Sequence, residues 1–383
     1  MKSAYFRHLR RVIAHSASAA TCLALAACAQ VDERRTACLA GLWQSEPDKT
    51  FALNVREDSS IRVTAFDGRV WTLEISADRW SGSQGQGGSN TTDPVTLDDA
   101  QCQIGRLLLT QKTATSELRR VELEQHIVKF RSDTETLTGK LVVRKGYTPD
   151  NLVVLLHGSE KRSAVAANPL QYLLPSKGIA AFVFDKRGTG RSSGEYTHNF
   201  ELLARDGVAA LATAHSALGG RNITAGFLGG SQGAWVAPLA AARTPKNARP
   251  RFVIAAYGLG QGPLEEDREE VFDDLRRHGF GDAATLAKAR EITDATATVM
   301  RTNFVDGFDR LNTLKDKYGH EPWYSTIEGE FTGDFLWMPS WLLAVVGPFF
   351  EEGMIWDYDP LPIIESLPMP MLWVLAGKDT EAP

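Results

Sequence analysis

The chain has 383 residues, 43% of them hydrophobic and 23% charged, which is enough to bury a full core and excludes a disordered tail or a stapled miniprotein. Its 42 basic and 47 acidic side chains leave a formal charge of −5, a balance that argues against a nucleic-acid partner. The four cysteines make no repeated Cys-x-x-Cys pair and the eight histidines no His-Glu-x-x-His helix, so no metal site is expected.

Residues 1–29 open on Lys2, Arg7, Arg10 and Arg11, continue as a small-residue and apolar run from Val12 to Ala27, and reach Leu25-Ala26-Ala27-Cys28. This is the pattern of a secretory signal. Two endings fit it. The last four residues resemble a bacterial lipobox, which makes residues 1–27 the signal and puts lipid on Cys28. The product is then an exported lipoprotein of the periplasm-facing cell envelope, at the outer membrane in a Gram-negative source. Cleavage after Ala29 instead gives a soluble exported protein. The run is too short, and too broken by His15, Ser16 and Ser18, for a membrane-spanning helix. Once the leader and Cys28 are set aside, Cys38 and Cys102 remain as an even pair in a compartment that permits disulfides, and a bond between them is expected.

Residues 28–118 read as a small β-rich domain, with strand-like alternation over 51–55, 61–65 and 70–75, broken by Asp67-Gly68 and by a flexible run from Ser81 to Asn90. Its expected role is structural. From about residue 119 the pattern changes. Near-continuous apolar runs at 151–156, 179–184, 223–228, 252–257 and 371–375 suit strands buried on both faces, and apolar residues recur at helical spacing from Phe200 to Leu218. That is βαβ grammar, hence a mainly parallel sheet covered by helices. Residues 262–360 interrupt it with a helix over 264–278 and an aromatic-rich stretch from Trp323 to Trp356, read as a helical cap insertion whose aromatics mostly form its own core.

The chemistry concentrates in three motifs. Gly229-Gly230-Ser231-Gln232-Gly233 follows an apolar strand directly and precedes an Ala-rich segment, the context a G-x-S-x-G elbow needs. Residues two before and two after the serine must be small there because strand and helix nearly touch. Ser231 is the candidate nucleophile, and the N-terminus of the following helix favours a developing oxyanion. Leu155-Leu156-His157-Gly158-Ser159 ends an earlier strand where an oxyanion-hole loop belongs. The backbone amides of Ser159 and Gln232 are the candidate oxyanion donors, and His157 is read as shaping the loop rather than as a base. Asp185-Lys186-Arg187-Gly188-Thr189-Gly190-Arg191-Ser192-Ser193-Gly194 has one residue too many in its second gap for G-x-G-x-x-G, so a dinucleotide site is excluded and no cofactor is expected.

In this order, the strand-end His-Gly, the D-x-R-G-x-G-x-S turn and the G-x-S-x-G elbow resemble the α/β-hydrolase superfamily over residues from about 120 to 383. The run Gly229 to Trp235 together with Asp185-Lys-Arg-Gly is similar to secreted bacterial hydrolases of the dienelactone-hydrolase and prolyl-oligopeptidase-like branch. The resemblance implies a Ser-His-acid triad on Ser231. Asp379, which follows the run 371–375 through Ala376-Gly377-Lys378, is the candidate acid it implies. Glu265, Glu266 and Asp267 are fallback acids, better explained as a helix surface. The superfamily places its histidine beyond the acid, after an eighth strand, and no histidine follows His320. The base is therefore not found in the chain, and the hydrolase domain, 119–383, is expected to be C-terminally incomplete. The function implied is an exported serine hydrolase acting on a small-molecule ester through an acyl-enzyme. An amidase or peptidase on the same fold, and a catalytically silent binding protein or inactive fragment, are the alternatives.

Overall fold

Alternating side chains send every second residue of the first eight strands inward, where Trp43, Trp71 and Trp80 join Leu53, Ile61 and Leu97 in one fully buried cluster. The computed structural model describes residues 36–377, apart from 57, 77–78, 86–89, 259 and 350–351. The leader with Cys28, and Asp379, lie outside the described residues. Strands β1 (Gly41–Glu46), β2 (Lys49–Val55), β3 (Ile61–Ala65), β4 (Val70–Ser76), β5 (Arg79–Gln84), β6 (Asn90–Asp98), β7 (Arg106–Gln111) and β8 (Ala114–Val121) pair in sequence. The sheet closes where Leu42 of β1 meets Val121 of β8, so the barrel has no free edge.

The flexible run expected from Ser81 is corrected at its start, because Ser81 to Gln84 belong to β5 and pair with β4. A Cβ on Gly82 would stand 1.9 Å from the carbonyl oxygen of Thr72. The glycine permits close strand approach there, and the neighbouring Trp80 supplies the apolar anchor.

Cys38 and Cys102 form a disulfide across a sequence separation of 64, joining the segment before β1 to the turn before β7. The expected pair is thus the bonded one. Arg120 lies over the Trp43 ring at 4.4 Å and donates to the carbonyl of Cys38, which fastens the same corner. By chain entropy the bond stabilises the barrel by up to about 4 kcal/mol. Reduction, or the Cys38→Ser/Cys102→Ser pair, is expected to lower the melting temperature of the barrel in calorimetry. Identical melting of the oxidised and reduced protein would refute this.

The second sheet holds β9 (Leu123–Ser132), β10 (Glu135–Arg144), β11 (Asn151–Leu156), β12 (Ile179–Phe184), β13 (Thr224–Gly230), β14 (Phe252–Ala256) and β15 (Met371–Val374). Their order is β15-β14-β13-β11-β12-β10-β9. From β12 across to β15 every pair is parallel, as the buried apolar runs require. The βαβ grammar does not begin at the domain's first strand, however. β9 and β10 form an antiparallel hairpin in full register, turned at Asp133 with φ 52°, and β10 runs antiparallel to β12. Apart from Leu123 at its start, β9 is packed on one face, through residues such as Val128 and Phe130, so it carries no continuous apolar run.

The described helices are α1 (Ala164–Ala167), α2 (Leu170–Ser176), α3 (Phe200–Ala217), α4 (Gln232–Arg243), α5 (Pro263–Arg277), α6 (Ala283–Arg301), α7 (Phe308–Tyr318), α8 (Thr332–Trp337), α9 (Ser340–Val346) and α10 (Leu361–Ser366). α3 starts under an Asn199 side-chain cap and buries Phe200, Leu203 and Leu211 on the sheet beside α4. α5 to α9 make the cap, with a core of their own around Phe272, Ile292, Trp323 and Phe335. The cap aromatics therefore divide: Trp323 and Phe335 are core, whereas Trp341 and Phe349 are 70% and 81% exposed. The barrel meets the second domain through Leu42, Ala52, Tyr172 and Leu173, and through Asn54, which donates to the carbonyl of Ala166 at 2.8 Å. Among the described residues no helix is long and apolar enough to cross a membrane.

Candidate active site

The parallel register sets Leu156 opposite Gly229 and Leu155 opposite Val183, so β11, β12 and β13 end side by side. The loops that follow them converge at the carboxyl edge of the sheet, where open α/β sheets hold their ligands. The elbow follows β13. Ser231 has φ 52° and ψ −124°, a conformation L residues rarely adopt. Two hydrogen bonds fix it, from Ser231 N–H to the carbonyl of Ala256 at 2.9 Å and from Ala234 N–H to the carbonyl of Ser231 at 2.7 Å.

The flanking glycines are there for contact. A Cβ on Gly229 would lie 1.8 Å from the carbonyl oxygen of Gly233, and one on Gly233 would lie 2.2 Å from that of Leu156. Strand and helix meet backbone to backbone at this corner.

Gly158 brings the loop after β11 against the elbow, since a Cβ there would stand 3.4 Å from Ser231 Cβ and 2.8 Å from Glu160 Oε2. The Gly158–Ser159 peptide and Gln232, the first residue of α4, therefore flank Ser231. Tyr196 anchors the loop by donating its hydroxyl to the carbonyl of Ser159. His157 is half-buried, and burial first, then Lys186 and Arg162, holds its imidazole well below the usual pKa. Its Nε2 has no hydrogen-bond partner among the described residues. It is a neutral ring.

The turn after β12 is organised by the Asp185 carboxylate, which accepts from Ser163 Oγ, Val165 N–H and Arg191 N–H at 2.7–3.1 Å. A Cβ on Gly190 would stand 2.1 Å from Asp185 Oδ2, and Gly188, at φ 70°, would drive one into the backbone of Tyr196. Arg187 clamps the turn to α3 through two bonds to the fully buried Asp206, at 2.7 and 2.9 Å. These glycines let the turn close on the Asp185 carboxylate and the Tyr196 backbone. Lys186, between Asp185 and Arg187, points back to the site. Its Nζ donates to the carbonyl of Gly158 at 2.7 Å, reaches Gln232 Oε1 at 3.4 Å and lies 4.7 Å from the Tyr196 ring centre. Burial lowers its pKa to about 7, against the opposing pull of Glu160 and Glu352.

A family model described as serine aminopeptidase, S33 matches residues 147–264, the span that holds all three motifs. Over that span the chain is similar to the α/β-hydrolase superfamily. Among solved structures an esterase from Pyrococcus furiosus aligns at 19% identity over 68% of this chain and 72% of its own, with a TM-score of 0.41. A dienelactone hydrolase from Anabaena variabilis aligns at 21% identity over 34% and 62%, with a TM-score of 0.29. A proline iminopeptidase from Mycobacterium smegmatis aligns at 13% identity over 67% and 84%, with a TM-score of 0.40. No curated relative matches the sequence.

Sequence reasoning missed one group at this site. His198 lies where the 185–199 loop meets the elbow, its Nδ1 2.6 Å from Gln232 Nε2 and its Nε2 3.2 Å from Glu352 Oε2. A proton on Nε2 satisfies both contacts, and burial, then Lys186 and Lys161, lowers the pKa to about 4. Glu352, arriving from the cap, also accepts from Lys161 Nζ at 3.1 Å and, through its carbonyl, from Thr197 Oγ1 and His198 N–H. His198 is thus a neutral link between cap and elbow with both ring nitrogens occupied. Among the described residues no histidine is hydrogen-bonded to Ser231 Oγ. Two of the three fallback acids do other work. Glu265 pairs with Arg268, and Asp267 is buried, capping the 331–332 turn through Phe331 N–H, Thr332 N–H and Thr332 Oγ1. Asp267 is therefore not helix surface.

Proposed function

We propose that the protein is an exported serine hydrolase that cleaves carboxylic esters of small molecules through an acyl-enzyme on Ser231. The observation that carries this reading is the Ser231 backbone, held at φ 52° and ψ −124° between two glycines that admit no side chain. Strain of this kind costs on the order of 1–3 kcal/mol and persists where the surroundings enforce it, most often at functional sites. In this reading Ser231 Oγ attacks the carbonyl carbon, and the amides of Gln232 and Ser159 receive the charge that moves onto its oxygen. The alcohol leaves with a proton, and water then releases the acid. Asp379 is the proposed acid of the triad, orienting a histidine base that the described residues do not place on Ser231. No cofactor enters the reaction.

An ester is the favoured substrate because expelling an alcohol asks less of proton transfer than expelling an amine. The family match, described as an aminopeptidase, favours a second reading in which Ser231 cleaves an amide. A matched pair of acyl p-nitrophenyl ester and acyl p-nitroanilide separates the two. We expect a burst of one p-nitrophenol per chain with the ester and far slower anilide turnover. Equal turnover of both would select the amidase, and no burst with either would sink the acyl-enzyme.

Export and the lipid on Cys28 belong to the same proposal, supported by the Cys38–Cys102 bond, since disulfides persist outside the reducing cytosol. Mass spectrometry of the mature N-terminus should find Cys28 acylated. An unmodified start at Gln30 would instead give the soluble form.

A further inference from the structure

Lys186 is a buried amino group that the chemistry proposed above does not use. In a trans peptide the C=O and N–H point in opposite directions, and every described peptide is trans. The carbonyl of Gly158 and the N–H of Ser159 belong to one such peptide. Lys186 Nζ holds that carbonyl at 2.7 Å. It thereby fixes the direction of the Ser159 N–H, opposite to that carbonyl, in a loop where Gly158 lies against Ser231 Cβ. The same amino group reaches Gln232 Oε1, while the other end of that amide, Nε2, meets His198.

We infer that Lys186 is a positioning residue for the oxyanion hole, fixing the Gly158–Ser159 peptide directly and the start of α4 through the Gln232 side chain, and placing its charge, when protonated, behind them. The inference rests on the assignment of Ser231 as nucleophile, with Ser159 and Gln232 as donors. Its physical basis is that donors aimed in advance at a developing charge cost no reorganisation when the reaction occurs. The buried position adds to the effect, because a charge behind a peptide dipole acts more strongly where water is excluded. Glu160 and Glu352 lie close enough to favour the cation, and the Tyr196 ring faces it.

The test compares Lys186→Met and Lys186→Arg with the parent, measuring the pre-steady-state acylation rate on a p-nitrophenyl ester, KM and thermal melting. Removal of one oxyanion donor typically lowers turnover by about 10²–10³-fold, and a donor left in place but loosely aimed should cost less, about 10–100-fold. We expect Lys186→Met to lose that much in acylation with KM within about 3-fold, while Lys186→Arg recovers most of the rate because it keeps the charge and a donor. Both variants should fold and melt close to the parent, since methionine fills the space and removes a buried charge. A Lys186→Met protein that acylates Ser231 as fast as the parent overturns the inference and leaves the nucleophile standing. So does one that fails to fold, because the lysine is then structural. A parent that never acylates Ser231 overturns both readings at once.

Discussion

Ser231→Ala should lower ester turnover by about 10⁴–10⁶-fold while leaving the fold and the melting temperature unchanged. The loss is large because the serine is the atom that forms the covalent bond; binding and oxyanion stabilisation alone leave only a residual rate. The fold survives because alanine removes one oxygen from a half-buried side chain, and the bonds that hold residue 231 run through its backbone. Relief of the left-handed strain is not expected, since alanine pays the same steric cost at φ 52°. Burst amplitude and steady-state rate on a short aryl ester read the result. A variant that hydrolyses as fast as the parent would place the nucleophile elsewhere.

Gly229→Ala is the second large effect, and it acts on stability. The new Cβ would sit 1.8 Å from the carbonyl oxygen of Gly233 and 2.3 Å from its carbon, both backbone atoms. Neither can yield unless β13 and α4 part at the centre of the domain. A loss of more than about 4 kcal/mol, or no soluble protein, is expected, well outside the range of ordinary point mutations. Gly230→Ala is the built-in control. A Cβ at Gly230 meets nothing within 4 Å, and Gly230 is absent from the glycines with positive φ. Its unfolding midpoint in urea should stay near that of the parent, within about 1 kcal/mol. Equal destabilisation by the two alanines would mean that the elbow is not packed as described.

What the sequence made legible was local. The elbow could be read because its demands, small residues at 229 and 233 between a strand and a helix, fall within five consecutive positions. The parallel strands were legible from their own apolar runs, and the Cys38–Cys102 pair from arithmetic on four cysteines. What escaped depends on residues far apart in the chain. The Asp185 carboxylate draws on donors at 163, 165 and 191, so the sequence placed its turn by resemblance alone and did not show what holds it. His198 bonds Gln232 across 34 residues and meets Glu352 from the cap, contacts that no spacing encodes. Gly82 and the serines around it matched a linker by composition, yet they pair with β4 because Trp80 anchors the strand. Asp267 has the sequence context of an exposed helix and is buried because the 331–332 turn offers it three donors.

The central claim is that Ser231 is the nucleophile of an acyl-transfer enzyme. The measurement that meets it most directly is peptide mapping after treatment of the full-length protein with a fluorophosphonate, which bonds an activated serine and stays. A single adduct on the peptide containing Gly229 to Gly233, located on Ser231 by fragmentation and lost in Ser231→Ala, is the expected result. An adduct on another serine, or an unlabelled Ser231 in protein that turns over an aryl ester, would contradict it.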